Sequence, residues 1–195
     1  MSGYSHCRSC LTGQPPSADL IIRLQARADA GRQLNSPSSD KESSMPFVPV
    51  AELKQHIGKD AGYSDWLTID QQRINLFADA TGDFQFIHVD PVKAAQTPFG
   101  ATIAHGFLSL SLIPQLMEGI MVLPEGLKMA INYGIDSVRF VQPVTVNSRV
   151  RLKVQLTDVS EKKTGQWLLK ATATLEIEGQ EKPAFVAEPL TLCFV

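Results

Sequence analysis

The stretch Ile103–Met121 is apolar on every side of a helix: Phe107, Leu108, Leu110, Leu112, Ile113, Leu116 and Met117 leave no polar face. A segment of this kind has to be enclosed. Lipid does not suit it, because a membrane span needs about 20 mainly apolar residues, and His105, Ser109, Ser111, Gln115 and Glu118 interrupt this one. The enclosure must therefore come from the protein. Downstream, Val150, Leu152, Val154 and Leu156 alternate with Arg149, Arg151, Lys153 and Gln155, and Trp167, Leu169, Ala171, Ala173, Leu175 and Ile177 repeat that period of two. Alternation marks strands with one buried face. Ser160–Gly165 and Glu178-Gly179-Gln180 supply the turns between them. A buried helix followed by long antiparallel strands is an α+β pattern, with a curved sheet wrapped around a central helix.

Other elements follow from local signals. Thr68-x-x-Gln71 has the form of a capping box ahead of a helix carrying Ile74, Phe77, Ala78 and Thr81, and Gly82 is its expected stop. Asp90-Pro91 begins a second, short helix that ends near Gln96. Pro114 predicts a kink in the apolar helix. Met129, Ile131, Tyr133 and Ile135 are odd-numbered, whereas Val138 and Phe140 are even, so a β-bulge is expected near Asp136-Ser137. Leu190, Leu192 and Phe194 close the chain as a strand that Pro189 places at an edge or a bulge.

Composition divides the chain. Residues 1–44 hold six Leu or Ile, no Val or Phe, and nine Ser, too little apolar material for a core. The expectation is an N-terminal tail over 1–44, disordered or loosely docked, and one folded domain over 45–195. Within the tail, Ala18–Ala30 has a weak helical pattern, and His6-Cys7-x-x-Cys10 looks like half a zinc knuckle without the second ligand pair that structural zinc needs. The longest strongly apolar run there, Leu20-Ile21-Ile22, is too short for a secretory signal. With three Cys and a formal charge of −2, neither a disulfide framework nor a basic nucleic-acid footprint is indicated. A cytoplasmic protein without nucleic-acid or membrane partners is expected.

Chemistry concentrates in Thr81-Gly82-Asp83-Phe84-Gln85-Phe86-Ile87-His88, in the connection between the two short helices. A carboxylate and an imidazole five residues apart on such a loop can converge as a proton donor and acceptor near neutral pH. The apolar helix opens at Phe99-Gly100-Ala101-Thr102-Ile103-Ala104-His105-Gly106-Phe107. Unpaired amides at a helix start can stabilise a developing oxyanion, and a glycine admits a ligand close to the backbone. Close helix–sheet packing is the competing explanation for Gly106. His105 reads as a core histidine with its hydrogen bonds satisfied.

These two motifs, Gly-Asp-x-x-x-Ile-His-x-Asp-Pro and Phe-Gly-x-x-Ile-Ala-His-Gly-Phe-Leu, resemble those of the MaoC-like dehydratases, also called (R)-specific enoyl-CoA hydratases, most closely the branch related to nodulation protein N. The similarity runs from about Pro46 to Val195 and includes Ala130-Ile131-Asn132-Tyr133-Gly134 and Val138-Arg139-Phe140-x-x-Pro143-Val144. It implies a hot-dog fold, in which an antiparallel sheet wraps a long helix, paired into a homodimer. It implies Asp83 and His88 as the catalytic pair, with the Gly106 amide as oxyanion donor and Gln85 beside the substrate. The implied reaction is reversible hydration of a trans-2-enoyl-CoA to a (3R)-3-hydroxyacyl-CoA, with a dry pocket raising the Asp83 pKa. Acyl-CoA is the implied partner. No nucleotide redox motif or metal site is apparent, and the reaction calls for no cofactor.

Two departures from the family pattern stand out. Gln85-Phe86 replaces the usual Asn-Pro of the hydratase motif, and Pro114 occupies the turn where some members place a supporting serine. They leave open a non-catalytic acyl-CoA-binding partner subunit, and a hot-dog acyl-CoA thioesterase is a further alternative. Arg139, Arg149, Arg151 and Lys153 are candidates for the CoA phosphates, against the plainer reading of strand-surface charge.

Overall fold

The computed structural model describes residues 46–195; the expected tail over 1–44, with its Ala18–Ala30 helix and its Cys7 and Cys10 pair, lies outside the described residues. The elements in chain order are β1 (Phe47–Val48), a 3₁₀ helix (Val50–His56), β2 (Asp60–Tyr63), β3 (Leu67–Thr68), α1 (Gln71–Thr81), α2 (Phe86–Val89) and α3 (Pro91–Ala94). Then come α4 (Gly106–Ser111), α5 (Ile113–Met117), β4 (Leu123–Pro124), β5 (Met129–Phe140), β6 (Arg149–Lys163), β7 (Gln166–Ile177) and β8 (Phe185–Phe194).

The main sheet runs β2-β6-β7-β8-β5, antiparallel throughout, with β3 also pairing β6. The alternation read from sequence is its inner face. Val150, Leu152, Val154, Leu169, Ala173, Leu175 and Phe185 point into one core with Leu108, Leu112, Ile113 and Leu116 of the central helices. β1 pairs in parallel with β4 and ties the start of the domain to the chain just past α5.

Several expectations are refined. The apolar helix begins at Gly106, since Ile103 instead bridges Thr145 and Ala104 donates its amide to Val144 O. It breaks at Leu112 into α4 and α5, with Pro114 in the first turn of the second piece. The cause is local: proline carries no amide hydrogen for the Leu110 carbonyl, and the Leu112 amide bonds to Ser109 in a tighter turn. α1 is capped by Asp70, whose carboxylate accepts the Arg73 amide at 2.8 Å, while Thr68 belongs to β3. Strand pairing claims Thr68 before it can cap. Gly82 ends α1 in the left-handed region at φ 76°, and Asp90 caps α3 with Pro91 behind it, as expected. The bulge falls between Ile135 and Val138, and Pro189 of β8 sits opposite Ile135. Since β8 lies between β7 and β5, Pro189 is at a bulge and not at an edge.

β5 behaves unlike the other long strands. It is the sheet's last strand and is exposed along its whole length, on both faces.

Candidate active site

The site is assembled where three short segments meet. α1 delivers the chain to Gly82, whose left-handed backbone turns it so that Asp83–Gln85 forms a brief loop before α2. α2 carries His88. The segment 102–105, running into α4, lies alongside and is stitched to α2: the Ile103 amide donates to Ile87 O at 3.0 Å, and His88 Nδ1 donates to Ile103 O at 2.7 Å. Gln71 on α1 completes the frame, its Nε2 donating to His88 O at 2.8 Å while its Oε1 accepts from the buried Thr102 hydroxyl. In the sequence Gln71 reads only as a capping-box residue and Thr102 only as part of the 99–107 motif, because a bond between residues 31 positions apart leaves no local pattern.

The structure brings together Asp83 and His88, and adds His105. One carboxylate oxygen of Asp83 and one ring nitrogen from each histidine lie within 4.8 Å of one another. A carbonyl can only accept, so the bond to Ile103 O puts the His88 proton on Nδ1 and leaves Nε2 with a bare lone pair. Burial is the main force holding the His88 pKa below its ordinary 6.5, and His105 adds to it, while the Ile103 bond and Asp83 oppose it. His88 is thus a neutral imidazole with its basic nitrogen available.

His105 is not the fully satisfied core histidine that its position suggested. Its Nε2 reaches Asp83 O at 2.9 Å, but its buried Nδ1 has no hydrogen-bond partner. Its ring stacks on that of His88 at 3.8 Å with 26° between planes. Stacked rings direct their in-plane lone pairs side by side, so the three groups are poorly arranged to converge on one ion. The geometry suits proton transfer.

The dry pocket expected around Asp83 is not made by this chain alone, since the side chain is 54% exposed and lies at the mouth of the site. Gln85 touches it through the backbone, its amide 3.3 Å from Asp83 Oδ1 in a turn that commonly stabilises such loops. Gly106 is the first residue of α4, so its amide has no acceptor within the helix. The packing explanation for this glycine also has support: a Cβ there would lie 3.1 Å from the Phe140 ring. A cavity of about 290 Å³ lies elsewhere on the fold, lined by Leu110, Ser111 and Pro114 together with Gly134, Ile135 and Leu190, and none of Asp83, His88 or Gly106 lines it.

The basic residues proposed for phosphate binding are otherwise engaged. Arg149 pairs with Glu178, Arg151 with Glu176 and Lys153 with Asp60, all at 2.7–2.9 Å. The Arg151 guanidinium also lies 3.9 Å from the Tyr63 ring centroid. The first two pairs tie β6 to β7 and the residue after it, and the third fastens β2 to β6. Arg139 is exposed on β5. Cys193 is buried and its thiol is pushed up to about 11, so it offers no thiolate nucleophile. Among the described residues no helix is long and apolar enough to cross a membrane.

The chain is similar to several known proteins. A family model described as MaoC like domain matches residues 52–178. The chain is 50% identical over 144 residues to 3-hydroxyacyl-thioester dehydratase Z of Mycobacterium tuberculosis, covering 74% of this chain and 95% of the relative. It is 43% identical over 149 residues to nodulation protein N of Rhizobium leguminosarum bv. viciae, covering 76% and 92%. Among solved structures, the (R)-hydratase from A. caviae involved in PHA biosynthesis matches with a TM-score of 0.57 at 27% identity, over 69% of this chain and 94% of that one.

Proposed function

Because the chain belongs to the MaoC-like dehydratase family, with a hot-dog fold and the enzyme type of a hydratase or dehydratase, we propose that it catalyses the reversible syn hydration of a trans-2-enoyl-CoA to a (3R)-3-hydroxyacyl-CoA. His88 Nε2 takes a proton from water as the water oxygen bonds to the β-carbon. The electrons of the double bond shift to the α-carbon and thioester carbonyl, and the Gly106 amide holds the enolate oxygen. Asp83 delivers a proton to the α-carbon. The proton left on His88 then returns to Asp83 through a bridging water, since the two groups lie within 4.8 Å of one another, a span one water can bridge. Both groups act from one side of the double bond, which makes the addition syn. In dehydration the roles reverse.

The observation that carries this reading is the His88 ring with its proton fixed on Nδ1 by Ile103 O and a ring nitrogen within 4.8 Å of an Asp83 carboxyl oxygen. A homodimer belongs to the same proposal. Ile131, Tyr133, Ile135, Val138 and Phe140 of β5 are all exposed, and an apolar face of that kind calls for a partner surface. A second copy there would also narrow the open side of the site.

The test is to incubate the purified protein with crotonyl-CoA, follow the conjugated thioester absorbance and determine the chirality of the product. The expected outcome is loss of absorbance with formation of (3R)-3-hydroxybutyryl-CoA. Release of free CoA would make the protein a thioesterase, and thioester binding without turnover would make it a binding subunit.

A further inference from the structure

We infer that His105 is a positioning residue of this site, setting with one side chain both the main chain of Asp83 and the ring plane of His88. The inference rests on the hydratase reading and assigns a role to a residue that the proposed reaction does not itself use.

His105 is only 3% exposed. Its Nε2 donates to Asp83 O at 2.9 Å, its ring stacks on His88 at 3.8 Å, and Phe77 packs against it at 5.0 Å. Asp83 follows the left-handed Gly82, a point where the chain pivots easily. Its remaining tie is the 3.3 Å bond between its own carboxylate and the Gln85 amide, which moves with the loop. The His105 bond anchors that loop to a different part of the fold, the start of α4.

The orphan nitrogen strengthens the argument. An aromatic slot in the core is filled at less cost by Phe, which has no polar atom to desolvate. An imidazole kept there with Nδ1 unpartnered is retained for the donor on its other nitrogen. That bond requires a proton on Nε2. The titratable groups facing it are His88 and Asp83, whose Oδ2 lies 4.0 Å from Nε2. A second proton on His105 would place a cation over the ring that must accept a proton from water.

Two variants separate donor from shape. His105→Phe keeps an aromatic ring and loses the donor, so kcat for crotonyl-CoA should fall about 10–100-fold with KM little changed, the pattern of a misplaced reacting group. His105→Gln carries an amide N–H that can reach the Nε2 position and should recover much of kcat. An undiminished kcat in folded His105→Phe, or a folded His105→Gln no faster than His105→Phe, would overturn the inference. Imidazole nitrogen NMR tests the geometry without turnover, and stands even if the wild type hydrates no enoyl thioester or the Phe variant does not fold. It should show His105 as the Nε2–H tautomer and His88 as Nδ1–H in the wild-type protein. A wild-type His105 with its Nε2 unprotonated would contradict the proposal whatever the activity.

Discussion

At the residue scale, protonation of His88 sets the pH dependence. Hydration needs the neutral ring, and burial lowers its pKa from 6.5. The acidic limb of a kcat/KM profile for crotonyl-CoA should therefore lie below pH 6.5, with activity lost as pH falls through the folded-state value. Stability follows the same sign. Above pH 6.5 both folded and unfolded His88 are neutral and the residue contributes no slope. Below it the unfolded chain takes up the proton first, so this residue's contribution lowers stability as pH falls toward the folded pKa, and the loss persists undiminished below it. Gly106 supplies a second test. Gly106→Ala should cost at most about 1 kcal/mol, since the Phe140 ring that the new methyl meets at 3.1 Å is exposed enough to shift, and Phe140→Ala in the same chain should relieve that contact. If the glycine also admits the thioester, kcat stays depressed in the double variant. Thermal unfolding and steady-state kinetics on the three variants separate the two roles.

At the scale of elements, Asp70 rather than Thr68 begins α1. Asp70→Ala should lower stability by about 1 kcal/mol as a lost N-cap, and denaturant unfolding reads this directly. Phe185, fully buried in β8, should cost about 3–5 kcal/mol when replaced by Ala. The strands were legible because period two is a direct imprint of burial. The even positions of β6 from Val150 to Leu156 and the odd positions of β7 from Leu169 to Ile177 face the core as their sequence alternates. The cap was misread because Thr68 and Asp70 are both good caps, and only the pairing of β3 with β6 decides between them. Asp83 and His88 were legible through motif and spacing. Gln71, Thr102 and the Asp83 bond of His105 were not, since each depends on segments that meet only after folding.

At the scale of the molecule, the sheet gives every long strand an inner face except β5, which is left open. Sedimentation should find a homodimer, and Ile131→Lys together with Tyr133→Lys should produce monomers. Because residues 1–44 hold too little apolar material for a core, we propose that a chain beginning at Met45 folds and keeps its activity, which circular dichroism and the crotonyl-CoA assay can check. The central claim is that this domain hydrates an enoyl thioester with Asp83 and His88. The most direct measurement is the rate of crotonyl-CoA hydration by wild type, Asp83→Asn and His88→Ala, each confirmed folded. Loss of about 10²–10⁴-fold in each variant is predicted, as for a missing general acid or base; wild-type rates in both would contradict the account.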